Sequence, residues 1–162
     1  MNARGTRPPP RPRPARGDDL EAIVALEQRA FARDRLSRRQ WRHHIGNPQA
    51  ALLVCVEAGA LLGDALMLFR RGSGVARLYS LAVAPVARGR GIGGALLRAG
   101  ERMARVRGAE RVRLEVRKDN PVAIALYERH GYRRFGERPG YYADGMDAWR
   151  YEKRLLRRLA RV

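Results

Sequence analysis

Residues 88–97 read RGRGIGGALL. Four glycines and two arginines lie between an apolar run, LYSLAVA (Leu78–Ala84), and a segment with helical periodicity. A glycine cluster at a strand-to-helix junction can hold an anion. The N–H groups at a helix start lack intrahelical acceptors and carry partial positive charge. Glycines let the main chain approach a ligand closely, and Arg88 and Arg90 add charge. Pyrophosphate is the guest this chemistry fits best. The spacing Gly89-x-Gly91-x-x-Gly94 also satisfies a dinucleotide fingerprint, but that fingerprint opens a parallel βαβ sheet and has an acid closing the second strand. Here an antiparallel meander precedes the glycines, and Glu115 falls mid-strand. The Gly-Lys-Ser/Thr of an NTPase phosphate loop is absent. A ligand-free, glycine-rich helix start is the bland alternative.

The elements that position this stretch can be read from periodicity. Asp18 or Asp19 can cap a helix with apolar positions Leu20, Ile23, Val24, Ala30 and Phe31. Ser37-Arg38-Arg39-Gln40 reads as a capping box that opens a second helix, with Trp41 and Ile45 inward and Asn47-Pro48 as its stop. Residues 51–57, 61–69 and 75–83 form an antiparallel meander. After the glycines, Ile92, Ala95, Leu96, Ala99, Met103 and Val106 mark one face of a long helix that Gly108 stops. Val112, Leu114 and Val116 alternate with Arg113, Glu115 and Arg117, which is strand periodicity. Asn120-Pro121 is an N-cap followed by proline at the first helical position. Gly131 ends that helix, and residues 132–138 and 148–155 are the last two strands. Arg11–Ala15 can add a short edge strand, where proline is tolerated. The order is β-α-α-β-β-β-α-β-α-β-β.

Motif and order together carry a resemblance. Arg88-Gly-Arg-Gly91-Ile-Gly93 fits the Arg/Gln-x-x-Gly-x-Gly/Ala signature of the Gcn5-related N-acetyltransferases, and LAVAPVARGRG (Leu81–Gly91) resembles that family's strand and loop. The resemblance covers residues 11–156. It implies an α/β (α+β) domain: a mixed, mostly antiparallel sheet of six to seven strands, flanked by about four helices, with a splayed central strand pair. It also implies acetyl-CoA as co-substrate. Downstream, LEVRKDNPVAIALYERHGYRRFGERPGYYADGMDA (Leu114–Ala148) is similar to the ribosomal-protein-alanine N-acetyltransferase (RimI-like) branch, whose acceptor is a protein N-terminal α-amine.

An α-amine attacks a thioester only when neutral, and its pKa lies near ~8, so a base helps. The family places that base at the position of Glu115; the residue alone would read as an ordinary salt-bridged strand glutamate. A departing thiolate needs a proton, and the family places the acid at Tyr127. Tyr127 lies seven residues after Asn120, so two helical turns put both on one face. Asn120 would bond the pantetheine arm, as in the family, or simply cap its helix. By the same resemblance, the backbone at Leu81, Ala82 and Val83 pairs with pantetheine and polarises the acetyl carbonyl. Arg88, Gly89, Arg90, Gly91, Ile92, Gly93 and Gly94 hold the pyrophosphate. Tyr141, Tyr142 and Asp144 lie on a late hairpin loop that this branch uses to grip the acceptor; surface packing is the alternative for the two tyrosines. Residues 31–41 (FARDRLSRRQW) would form the opposite wall and are richer in arginine than the branch pattern. A basic wall suits an acidic or phosphate-bearing acceptor.

Composition bounds the rest. At 162 residues with 45% hydrophobic content, the chain is expected to be one globular domain. The formal charge is +18, and only Lys118 and Lys153 are lysines. Such a field attracts anions, and it fits either a solvated surface or a nucleic-acid or ribosome partner. No apolar run approaches the ~18 residues of a membrane span, and no secretory signal is read, so a cytoplasmic enzyme is expected. Cys55 reads as a buried small hydrophobe. His43, His44 and His130 lack ligand spacing, and no metal is expected. Residues 1–10, rich in arginine and proline, are expected to be disordered, and residues 157–162 to form a basic tail. A polyamine, an aminoglycoside or a protein lysine are alternative acceptors. A basic RNA- or ribosome-binding module with weak or no acetyl-CoA use is the alternative of another class.

Overall fold

The computed structural model describes residues 7–156. The expectations for residues 1–6 and 157–162 lie outside the described residues. The elements are β1 (Arg13–Pro14), α1 (Leu20–Ala30), α2 (Arg38–His44), β2 (Ala50–Glu57), β3 (Ala60–Phe69), β4 (Val75–Val83), α3 (Ile92–Val106), β5 (Arg111–Arg117), α4 (Pro121–Arg129), β6 (Arg133–Arg138) and β7 (Ala148–Arg154), with short 3-10 turns at Gly17–Asp19 and Pro85–Ala87. They follow the order read from periodicity. One seven-stranded sheet runs β1-β2-β3-β4-β5-β7-β6. Among the described residues its one parallel pair is β4 with β5.

Each face of the sheet has its own apolar layer. Leu53, Cys55, Ala65, Met67, Val112, Leu114 and Val116 pack with Ile92, Leu96 and Leu97 of α3 and Tyr127 of α4. Leu52, Val54 and Leu66 pack on the other face with Leu20 and Ile23 of α1 and Trp41 of α2. β2 is covered on both faces, which is why its sequence is a continuous apolar run rather than an alternating one. Trp41 is fully buried. The Ser37–Gln40 capping box forms as expected: Gln40 N–H donates to Ser37 Oγ at 3.2 Å and Ser37 N–H to Gln40 Oε1 at 2.7 Å.

Three expectations are corrected. Neither Asp18 nor Asp19 caps α1 through its side chain. The Asp19 carboxylate instead accepts from the Arg16 N–H at 2.7 Å and from the Arg13 guanidinium at 2.8 and 3.0 Å, closing the 3-10 turn that precedes the helix. Val106 is exposed rather than inward, because it is the final residue of α3 and lies past the sheet's cover. The tail expected to be disordered through residue 10 is already docked there: Cys55 Sγ donates to the Pro10 carbonyl at 3.5 Å. Burial pushes the Cys55 thiol up to about 11.

The face under α1 holds a polar cluster that periodicity did not announce. Ser80 of β4 donates its hydroxyl to the Glu27 carboxyl of α1 at 2.9 and 3.1 Å. Asp64 of β3 is fully buried beside it, and apart from the neighbouring Glu27 carboxyl no polar group among the described residues reaches its oxygens. Burial drives Asp64 well above its ordinary carboxylate range, and the neighbouring Glu27 adds to this; Glu27 is itself raised by burial. A carboxyl that is more easily protonated when folded stabilises the fold most at low pH, and that stabilisation is lost as pH rises through the folded value. Asp64→Asn removes the Asp64 share of this slope. The variant should match the parent near pH 4 and exceed it by about 1–3 kcal/mol at pH 8, read as a Tm gap that widens with pH in thermal denaturation.

Candidate active site

The site is built around the divergence of β4 and β5. They pair only over Val75–Arg77 and Arg111–Arg113. Beyond that, β4 continues along β3 to Val83 while its other edge stays open. A bulge contributes to the turn away: Leu66 pairs with Ser80 and Met67 with Leu78, leaving Tyr79 as an extra residue. The Ala84 N–H donates to the Leu62 carbonyl at 2.8 Å across the β3 pair. Strand alternation therefore turns the main-chain groups of Leu81 and Val83 into the opening, with Ala82 between them facing β3.

The glycine loop closes one end of this opening. Gly89 and Gly91 have φ of +79° and +77°, and no atom lies within 4 Å of a Cβ built at either. Gly91 is the N-cap of α3, and no side chain caps the helix. Among the described residues, the N–H groups of Gly89, Arg90, Gly91, Ile92, Gly93 and Gly94 have no acceptor, whereas Ala95 N–H donates to the Gly91 carbonyl at 3.0 Å. A run of unpaired donors at a helix start, in open space, fits a pyrophosphate. Arg88 is exposed without an ion pair among the described residues. Arg90 is held by Glu57 of β2 at 2.9 and 3.2 Å, so part of its charge is already balanced. Gly63 sets how near the loop comes to β3: a Cβ there would lie 2.8 Å from Ile92 Cγ2 and 2.9 Å from the Ala82 carbonyl oxygen.

Asn120 and Tyr127 bracket α4 on the other side. Asn120 Oδ1 accepts from the Ala123 N–H at 3.1 Å, so this residue does cap the helix. Tyr127 is buried, edge-on to Tyr132 at 5.8 Å between ring centroids. Burial raises its phenol and keeps it neutral.

Glu115 faces away from Val112, Leu114 and Val116, as alternation predicts, and only 8% of its side chain is exposed. Its neighbours are not the adjacent Arg113 and Arg117. The Arg77, Arg138 and Arg150 guanidiniums reach it from β4, β6 and β7 at 3.1, 3.5 and 3.7 Å. Arg113 instead pairs with Glu152 at 3.0 Å, and Arg117 with Asp119 and Asp144 at 3.0 and 2.7 Å. The Arg117 pair holds the Asp144 carboxyl down to about 2.

The loop between β6 and β7 forms the wall beside Glu115. Arg77 donates to the Tyr141 hydroxyl at 2.5 Å, and the Arg117 guanidinium lies 4.9 Å from the centroid of the Tyr142 ring. Burial raises the Tyr142 phenol, and Tyr141, Tyr127 and Glu115 push it further. The opposite wall, residues 31–37 between α1 and α2, is joined to this loop by one bridge. The Ala143 N–H donates to both Asp34 carboxylate oxygens at 3.1 and 3.2 Å. Asp34 holds a left-handed φ of +59°. Asp34, Arg77, Arg138 and Arg150 went unnoticed in the sequence. Their partners lie tens of residues away, and no local spacing announces them. His43, His44 and His130 join no group of ligands suited to a metal among the described residues.

The sequence model of the acetyltransferase (GNAT) family matches residues 20–132. The chain belongs to this family. Its sheet, splayed strands and flanking helices are the GNAT fold. The crystal structure of the ribosomal-protein-S18-alanine N-acetyltransferase from Escherichia coli superposes with a TM-score of 0.79 at 27% identity, covering 93% of this chain and 97% of that one. A mycothiol acetyltransferase of Salinispora tropica is 38% identical over 138 residues, covering 77% of this chain. A Bacillus subtilis protein, named as a candidate ribosomal protein bS18-alanine N-acetyltransferase, is 29% identical over 132 residues, which is 81% of this chain and 86% of that protein. The chain spans 38–45% of the length of the first three curated relatives, two of them mycothiol acetyltransferases.

Acetyl-CoA is the group this family implies, and the unpaired donors of the glycine loop beside an open strand edge fit it. Gly91→Ala forces a left-handed alanine at a cost of about 1–2 kcal/mol and puts a methyl into the anion space. Calorimetric titration with CoA should show affinity reduced about tenfold or more. Arg88→Ala should weaken it several-fold, with the difference shrinking as salt rises.

Proposed function

We infer that this GNAT protein is an acetyl-CoA-dependent N-acetyltransferase acting on a primary amine, with a protein or peptide N-terminal α-amine as the acceptor. The observation that carries this reading is the opening between β4 and β5. Unpaired loop donors lie at one end, a neutral buried phenol lies on one side, and a carboxylate among two facing loops lies on the other. Acetyl-CoA supplies the activated acetyl group when bound. Arg88 and the N–H groups of residues 89–94 bind its pyrophosphate. Asn120 can offer its side-chain amide to the pantetheine arm while its oxygen caps α4. An outward N–H of Leu81 or Val83, beside Ala82, holds the acetyl oxygen as charge develops there. Glu115 takes a proton from the α-ammonium, directly or through one water, so that nitrogen can attack the thioester carbon. As the C–S bond breaks, Tyr127 gives its proton to the sulfur, and the second proton shed by the adduct's nitrogen restores the Tyr127 phenol. Tyr141, Tyr142 and the Asp144-anchored loop form the acceptor wall. The resemblance to RimI-like relatives supports a peptide acceptor. The identity to mycothiol acetyltransferases supports a second reading, a small-molecule amine at the same site.

Mass spectrometry after incubation with acetyl-CoA separates these. The panel is a peptide with a free N-terminus and no lysine, a blocked peptide with lysine, a fully blocked peptide, and a polyamine. Acetylation of the first alone supports the peptide reading; acetylation only of lysine or polyamine overturns it. Tyr127→Phe should lower kcat about 10²-fold or more, with the acceptor KM little changed. Because burial raises Tyr127, the rate should show no fall between pH 8 and pH 10. A fall near pH 8–9 would remove Tyr127 from the acid role.

A further inference from the structure

The half of the sheet formed by β5, β7 and β6 carries a cationic track that starts at Glu115. α1 and α2 cover β2, β3 and β4 and stop there. On the face that carries Glu115, Arg77, Arg138 and Arg150 share Glu115, while Arg111 and Arg113 share Glu152 at 3.6 and 3.0 Å. Five guanidiniums thus meet two carboxylates, leaving three positive charges unbalanced. The arginine side chains are 25–49% exposed, and the two glutamates are 8% and 25% exposed. The surface a ligand meets is therefore mostly guanidinium, with Glu115 beneath it. Phe135 anchors the track's middle, with Arg113 and Arg150 at 4.9 and 4.6 Å from its ring centroid. That packing pre-orders the long side chains and lowers the entropy lost when they bind.

We propose that this track selects acceptors whose N-terminus is followed by acidic residues. The inference rests on the reading of the site as an N-terminal acetyltransferase. The attacking group arrives as an ammonium, and three unbalanced positive charges around Glu115 and along the sheet oppose its approach. Carboxylates a few residues downstream offset that repulsion and pair with the exposed guanidiniums. From Glu115 to Arg111 is about 13 Å along β5, the reach of about four extended residues. With the N-terminal residue at Glu115, position 5 reaches Arg111, so acceptor positions 3 to 6 lie over the track and its far end. A small amine would not span it, and an arginine-rich acceptor would be repelled along its length.

The test uses lysine-free peptides with a free N-terminal alanine and with glutamate, serine or arginine at positions 3 to 6. kcat/KM is measured at low and at 0.5 M salt. The glutamate peptide should exceed the serine peptide about tenfold, and the arginine peptide by more, with the differences collapsing at high salt. In Arg111→Gln/Arg113→Gln the ratio of glutamate to serine peptide should fall towards one. Arg111→Lys/Arg113→Lys, which keeps the charge, should retain most of it, and that separates loss of charge from loss of fold. Equal turnover of the three peptides, or preference for arginine, overturns the proposal and leaves N-terminal acetylation standing. Absence of N-terminal acetylation on every peptide, with lysine or polyamine modified instead, overturns both. Strong inhibition by a short single-stranded RNA with no discrimination among the peptides also overturns it, and assigns the track to nucleic acid.

Discussion

The site depends on β4 and β5 being parallel neighbours for only three residue pairs. Every other neighbouring pair in the sheet beyond β1 is bonded along most of its length. A strand with one open edge carries unpaired main-chain donors and acceptors, which cost free energy when buried unless water or a ligand meets them. Here that edge is Leu81 and Val83. The bulge at Tyr79 and the missing side chain at Gly63 serve the same geometry. The first turns β4 away, and the second lets Ile92 and the start of α3 press against the strands. The open edge and the unpaired helix donors therefore meet at one mouth. The two features complement each other: an extended chain can add to the edge while its anionic end reaches the helix start.

The placement of charge follows a different logic from its amount. Arg90 is partly balanced by Glu57, and Arg117 is balanced by Asp119 and Asp144. Those arginines hold loops in place. Arg88 has no ion pair among the described residues, and Arg77, Arg138 and Arg150 converge on one carboxylate. A carboxylate that must accept a proton is served by being held in one orientation. Three guanidiniums from three strands achieve this without any one of them carrying it alone, and Arg77 also carries the Tyr141 hydroxyl. The loop carrying Tyr141 and the candidate base are thus positioned by the same side chain.

Much of this was legible from local pattern. Period-two alternation placed Val112, Leu114 and Val116 inward and Glu115 outward, and Asn120-Pro121 announced both the cap and the helix carrying Tyr127. The glycine loop was readable because positive φ restricts residue choice at Gly89 and Gly91. The arginine partners of Glu115 were not readable. Alternation put Arg113 and Arg117 on the same strand face as Glu115, but i and i+2 neighbours on a strand stand about 7 Å apart, and cross-strand neighbours come closer. Strand order decides such pairs, and β7 lies between β5 and β6 although it is last in the chain. The Asp34–Ala143 bridge and the Glu27–Ser80–Asp64 cluster were hidden for the same reason. Each joins segments far apart in the sequence.

The cluster under α1 bears on the site because of where it sits. Ser80 follows the bulged Tyr79 and precedes Leu81, so the residue that ties β4 to α1 is the one between the bulge and the open edge. A backbone that must present main-chain groups without a neighbouring strand needs to be held from another direction. β3 holds it laterally, and the Ser80–Glu27 hydrogen bonds hold it from the face. Asp64, opposite Ala82 on β3, places a second carboxyl at the same point. Two buried carboxyls side by side repel unless they share a proton, and burial favours that shared state over two charges. The pair thereby couples the protonation of the interior to the seat of the strand edge. An apolar pair of similar volume would avoid the desolvation cost, but it could not give the Ser80 hydroxyl an acceptor, and a buried hydroxyl without one is itself destabilising.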